Sequence, residues 1–317
     1  MREFFLKVLL LSLLVFISFA VVLGFINTSD KYRYFAATID KHALLKNAPS
    51  PKIVIVGGSN VALSIDGALI ERELGIPIVN MGLHGGLGLR YMLNEVKPYV
   101  GKDDVIVIIP EYQQFLGLLE GDDTLIDLLF LYPEGIRYLE FPEQYFALLG
   151  KFRSAVAGQI KGYIQNTRNG GTHPIYNRQA FDRNGDMISH LGQTADVNFA
   201  NVPLLSQNES TFDAGSVRVL SQFDAYAQSV GAQAVLTFAT IPDVHFKGSE
   251  KQLQLVYTNL RGRLTTPILA TPAESTLPIE YFYDTAYHLN ARGREIRARQ
   301  LIGDLAILRR DKKLTGN

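Results

Sequence analysis

The feature that most constrains this chain is a series of short β-branched runs, "KIVIVGG", "IPIVNMG", "DVIVIIP" and "AQAVLTFAT", each ending in glycine, proline or threonine. Such runs read as strands buried on both faces, because a half-exposed strand would alternate apolar with polar residues. Between them lie segments with helical spacing, "VALSIDGALIEREL", "LGLRYMLNEVKPYV" and "AGSVRVLSQFDAYAQSVG". Alternating strand and helix predicts an α/β protein with a parallel sheet covered on both faces, and "TPILAT" is a candidate fifth strand. Folds of this kind bind ligands at the carboxyl ends of the strands, where each run turns small or polar.

The alternation starts near Pro51 and fails between Pro110 and about Asp213. A largely helical insertion after the third strand, at about 113–213, is therefore expected within a domain of 51–317. Its first part is apolar and aromatic, with Tyr112, Phe115, Tyr132, Tyr138, Phe141, Tyr145 and Phe146 read as helix-packing residues, a minority of which could stack on sugar rings. Its second part is rich in turn formers.

Ahead of the domain, residues 28–50 read as a stalk or short helix. Before them, Val8–Ile26 is a run of nineteen residues without a charge, long enough to cross a bilayer as a helix. Residues 1–27 are thus a transmembrane anchor, or else a signal peptide; the run is long for the latter and lacks a clear small-x-small cleavage site. Arg2 and Lys7 before the run and Lys31, Arg33 and Lys41 after it leave orientation undecided by charge. Lysine plus arginine equals aspartate plus glutamate at 31 each, which argues against nucleic acid as a partner. With no cysteine, thiol catalysis and disulfides are excluded.

Three stretches carry candidate chemistry. In "GGSN", Ser59 follows a strand and two glycines and precedes a helix, a place for an exposed nucleophile or for a helix cap. "NMGLHGG", residues 80–86, is a second glycine-rich strand end, where Gly82 can offer a backbone amide to an oxyanion or simply make a turn. In "DTAYHLN", Asp284 and His288 are four residues apart, so both face one side if the segment begins a helix, where an acid could orient an imidazole base or the pair could simply be a surface cap.

Taken in this order, Ser59 in "GGSN", Asn80, Gly82 and Gly85 in "NMGLHGG", and Asp284 with His288 near the C-terminus, the chain resembles the SGNH/GDSL hydrolase superfamily. The resemblance implies a flavodoxin-like three-layer sandwich with Ser59 as nucleophile, His288 as base, Asp284 as its orienting acid, and the amides of Ser59 and Gly82 as oxyanion donors. No cofactor or metal is implied. Where many members of the family carry an oxyanion asparagine after the third strand, this chain has "IIPEYQQF", and Asp284 and His288 stand one residue further apart than is common. Loss of one such donor costs about 3 kcal/mol of transition-state stabilisation. Asn60, His84, Glu111 and Tyr112 are candidates to line the substrate.

With the N-terminal run, the resemblance extends to single-pass, membrane-anchored proteins whose extracytoplasmic domain transfers or hydrolyses an acyl ester, such as O-acetyl, on a cell-envelope glycan, often beside a multi-spanning acyltransferase. The alternative is a non-catalytic glycan-binding or accessory module. Two further motifs are read blandly. "DRNGD" has the opening spacing of a calcium loop but lacks its glycine and closing glutamate, so a hairpin turn at Asn184-Gly185 is expected. His173, His190 and His245 have no metal-ligand spacing.

Overall fold

The computed structural model describes Lys7, Leu14 and residues 33–169, 173–205 and 211–315. The apolar run expected to anchor the chain lies otherwise outside the described residues, and no described helix is long and apolar enough to cross a membrane.

In chain order, a 3₁₀ turn at Tyr34–Ala36 leads into α1 (Ala37–Asn47), followed by β1 (Ile53–Gly57), α2 (Ser59–Ser64), α3 (Gly67–Leu74), β2 (Ile78–Asn80), α4 (Leu89–Val96) and β3 (Val105–Ile109). Then come α5 (Asp123–Leu131), α6 (Glu143–Leu149), α7 (Phe152–Asn169), α8 (Ala214–Ser229), β4 (Gln233–Leu236), β5 (Ile241–Pro242), α9 (Asp243–Arg261), β6 (Thr276–Leu277) and α10 (Ala291–Thr315). Strands β1 to β4 form one sheet in the order β2-β1-β3-β4, with every neighbouring pair parallel. The protein is therefore α/β with a central four-stranded parallel sheet.

Both faces of the sheet are buried, which is why its strands are continuously apolar. Val54, Val56, Ile106, Ile108 and Leu236 point to one core, shared with Leu89 and Leu93 of α4, Val219 and Leu220 of α8 and Leu253 of α9. Ile53, Ile55, Val107, Ile109 and Val235 point to the other, shared with Leu69 and Ile70 of α3 and Leu301 and Leu305 of α10. The segment "TPILAT" makes only an isolated parallel bridge, Leu236 to Ile268, beside β4. Proline at 267 has no N–H to extend the ladder, so the expected fifth strand shrinks to one pairing.

The segment read as a stalk holds a helix packed into the domain. Lys41 of α1 is buried and its ammonium donates to the carbonyls of Asn80 and Gly185, at 2.8 and 2.5 Å. Burial lowers its pKa to about 7, against the opposing charge of Asp186. Between β3 and α8 the chain forms α5, α6 and α7 and then an irregular segment that folds back on the sheet. In that segment Phe181 and Met187 face each other across a turn in which Gly185 has φ +85°. Asp182 accepts from the N–H groups of Asn184 and Asp186, so it closes the hairpin expected from "DRNGD". Asp186 points the other way, accepting from Gly67 N at 2.6 Å and Asn80 Nδ2 at 2.7 Å.

Candidate active site

The first element of the site is the turn from β1 into α2. Gly58 stands where a Cβ would collide with the Glu111 carboxylate, so glycine is required by close approach. Asn60 braces the turn: its Oδ1 accepts from Gly58 N at 2.9 Å and its Nδ2 donates to the carbonyl of Ile109 at 2.9 Å. With both ends of its amide committed and the side chain buried, Asn60 does not line a substrate site as expected; it ties the serine turn to β3.

Ser59, partly exposed at the start of α2, donates its hydroxyl to Glu111 Oε1 at 3.1 Å. The same oxygen accepts from Asn60 N at 3.3 Å. Glu111 is buried at the end of β3, in the place where the sequence lacks an asparagine, and its own N–H is held by Gln114 Oε1 at 3.1 Å. Its contact with Ser59 makes it a direct partner of the serine and not only a lining residue. Tyr112 departs from expectation in the other direction: it is fully buried, its ring stacked 5.9 Å from Phe238, and it belongs to the core.

The second block is organised by Asn80. Its Nδ2 donates to Val61 O and to Asp186, and its Oδ1 accepts from Gly82 N at 2.8 Å. The Gly82 amide is thus consumed inside the protein, which corrects its assignment as an oxyanion donor. Gly82 is instead a packing glycine, since a Cβ there would stand 2.5 Å from both Val61 Cβ and the Ala62 nitrogen. Gly85 lies against the site: a Cβ on Gly58 would be 2.7 Å from Gly85 N, and one on Gly85 would enter the Glu111 carboxylate. The Gly85 N–H has no protein acceptor among the described residues. His84 accepts from Gly86 N through Nδ1 at 3.0 Å and sets its ring edge-on to Phe35, so that ring nitrogen is not available to a substrate.

The third element is the loop 283–289. His288 Nδ1 and Asp284 Oδ1 are 2.7 Å apart, which leaves the His288 Nε2 as the ring nitrogen able to take a proton. The other Asp284 oxygen accepts from the Tyr176 hydroxyl, which is also 3.3 Å from His288 Nδ1. Partial burial pushes the Asp284 carboxyl up, but the hydrogen bonds and charge of His288 with the Tyr176 bond outweigh it and hold it below its ordinary value. Burial first, and then the bond to Asp284, push the Tyr176 phenol well above its ordinary value, so it remains a donor. Tyr176 was not singled out from the sequence; it comes from the insertion, 108 residues from Asp284, and no spacing signals it.

This loop is stitched to the rest of the site. Ser64 at the end of α2 donates to the carbonyl of Tyr287 at 2.8 Å and accepts from Leu289 N at 3.0 Å, holding the residues on either side of His288. The Tyr287 hydroxyl donates to Gln113 Oε1 at 2.7 Å and accepts from Tyr112 N at 3.3 Å. His190 donates from Nε2 to the carbonyl of Leu289 at 3.0 Å, and burial holds its pKa down at about 4. Among the described residues no hydrogen bond joins Ser59 to His288. No group of histidine and carboxylate side chains able to hold a metal occurs among them either.

The fold and site together define an α/β protein that presents a serine at a strand-to-helix turn, a carboxylate bonded to that serine, and, on an adjoining loop, an Asp-His pair joined by Tyr176 of the insertion. No protein-family model matches the chain, and neither the curated proteins nor the solved structures provide a match.

Proposed function

We propose that the protein is a membrane-anchored, serine-dependent enzyme of the SGNH type that transfers or hydrolyses an acyl ester, such as O-acetyl, on an extracytoplasmic cell-envelope glycan. The observation that carries this reading is the His288–Asp284 pair at 2.7 Å, held by Ser64 against the helix whose first residue is Ser59. The β2-β1-β3-β4 order with helices on both faces suits the flavodoxin-like sandwich of that superfamily.

In this reading Ser59 Oγ attacks the ester carbonyl as its proton passes to His288 Nε2, while ionised Asp284 stabilises the imidazolium. The oxyanion is met by the N–H groups of Ser59 and Gly85. Collapse breaks the bond to the leaving alcohol, which takes the proton from His288 and leaves an acyl-Ser59. A sugar hydroxyl or water, deprotonated by His288, then releases the acyl group. Reaction requires the Ser59 hydroxyl to give up its bond to Glu111 and engage His288. A chromogenic acetyl ester tests the reading. The full chain turns it over and Ser59→Ala does not; equal turnover by the two refutes it.

A second reading, a non-catalytic glycan-binding or accessory module docking on a membrane acyltransferase, is favoured by one specific observation. The Ser59 hydroxyl is bonded to a buried carboxylate, and an ionised carboxylate beside the reacting carbonyl opposes the negative charge that must develop there. Retained glycan binding by a chain inactive towards every ester would support this module.

A further inference from the structure

Phe141, Phe146 and Leu149 are 73%, 68% and 70% exposed, and with Ile136, Tyr145 and Phe152 they form an apolar surface over α6 and its flanks. These aromatics were expected to pack within the insertion; Tyr112 and Phe115 do, whereas Phe141 and Phe146 project to the surface. Beneath them lies an apolar cleft of about 280 Å³, whose walls include Ile126 and Leu129 of α5 and Leu148 of α6. Single exposed apolar residues are ordinary, but here Ile136, Tyr145, Leu149 and Phe152 line the cleft and Phe141 packs its ring on Tyr145 and Phe146, a grouping that marks a surface meeting something apolar. Exposed Arg153 and Lys161 follow the patch on α7 and offer cations to phosphate headgroups, while Glu134 and Glu143 are exposed beside the apolar residues.

The N-terminal turn says what covers this surface. The apolar run ends at Ile26, and six residues, 27–32, separate it from Arg33, where the described chain begins. Six extended residues reach about 20 Å. The turn Tyr34–Ala36 packs directly on α5, the helix that supplies one wall of the apolar cleft. Arg33, where the described chain begins, therefore adjoins a turn that packs on a helix lining the cleft.

We propose that this patch seats in the headgroup and upper acyl region of the bilayer in which residues 8–26 are anchored. Exposed aromatic and aliphatic side chains with lysine and arginine nearby are used by interfacial surfaces. The same turn borders the candidate site. Tyr34 donates to the carbonyl of Leu83 at 2.6 Å, its ring lies 5.9 Å from that of Tyr176, and Phe35 contacts His84. Seating the patch thus holds Ser59 and His288 close to the membrane surface, where an acyl donor or a membrane-embedded transfer partner would be met. The proposal rests on the anchor reading of the N-terminal run.

The chain contains no tryptophan, so single substitutions give unambiguous fluorescence probes. Full-length Phe146→Trp and Leu149→Trp are reconstituted in phosphatidylcholine vesicles, with or without bromine high on the acyl chains. Leu14→Trp reports on the anchor. Ile307→Trp reports from α10, which covers the opposite face of the sheet and exposes this residue. The expected result is a blue-shifted emission at 146 and 149 that is lost in brominated lipid, quenching at 14, and no quenching at 307. Quenching at 14 with solvent-like emission at 146 and 149 overturns the proposal and leaves the anchor standing. Blue-shifted but unquenched emission at 146 and 149 means that protein covers the patch, and also overturns it. Absence of quenching at all four positions refutes the anchor and the docking together.

Discussion

The hydroxyl of Ser59 donates to Glu111, not to His288, although the loop bearing His288 is bonded to the helix that Ser59 begins. In the proposed reaction Glu111 would stand where a neutral amide helps to bind an oxyanion, and it restrains the serine with an acceptor instead. Glu111→Gln keeps the shape and supplies a donor. If His288 is the base, the substitution accelerates modification of Ser59 by an organophosphonate about tenfold or more, within the range that one oxyanion donor contributes elsewhere. A fall of that size would make Glu111 itself the base.

In the proposed reaction Tyr176 would act through Asp284, to which its hydroxyl donates. Tyr176→Phe removes one of the bonds that stabilise the ionised carboxylate and orient it towards His288. The fold is retained, while the labelling rate of Ser59 falls about tenfold; Asp284→Asn, which also perturbs the imidazole tautomer, lowers it by about 10³-fold or more. Equal rates in Tyr176→Phe and the parent would show that His288 is positioned without the insertion.

Asn60 is a structural brace whose loss is felt in stability. Asn60→Ala leaves Gly58 N and the Ile109 carbonyl without their side-chain partners in a buried turn. Each orphaned group costs ~1–3 kcal/mol, so chemical denaturation should report a loss of about 2–6 kcal/mol. Asn60→Asp preserves the acceptor for Gly58 but places a second carboxylate beside Glu111, and is expected to be no milder.

His190 makes the site loop sensitive to acid. In the folded protein it remains neutral down to about pH 4, whereas in the unfolded chain it titrates at the ordinary value of 6.5. Above 6.5 both states are neutral and the group contributes no pH dependence. As pH falls from 6.5 to 4 the unfolded chain takes up a proton that the fold refuses, so stability declines across that window and the dependence levels off below it. His190→Gln, whose amide can still donate to Leu289 O, removes this component. Its Tm should fall less than that of the parent between pH 6.5 and 4, by about 5 °C. Parallel curves for the two proteins would contradict the assignment.

The sheet was legible because strands buried on both faces leave continuous apolar runs, and β1 to β4 each end where a small or polar residue interrupts the run. The serine turn was legible for the same reason. Helix α1 was harder to recognise, since its buried side carries Thr38, Lys41 and His42, polar residues where periodicity looks for apolar ones. Gly82 misled because the direction of a backbone amide depends on what accepts from it, and that acceptor, Asn80 Oδ1, is a matter of side-chain conformation and not of spacing. Tyr176 and Asp186 reach the site from the insertion across more than a hundred residues, a relation that no local pattern encodes.

The central claim is that Ser59 is a nucleophile activated by His288. Intact mass and peptide mapping of the full chain after treatment with an organophosphonate test it most directly. The account predicts one adduct per chain, located on Ser59, absent in Ser59→Ala and strongly reduced in His288→Ala. A folded parent protein that takes up no adduct, or labels as fast without His288 as with it, would contradict the account.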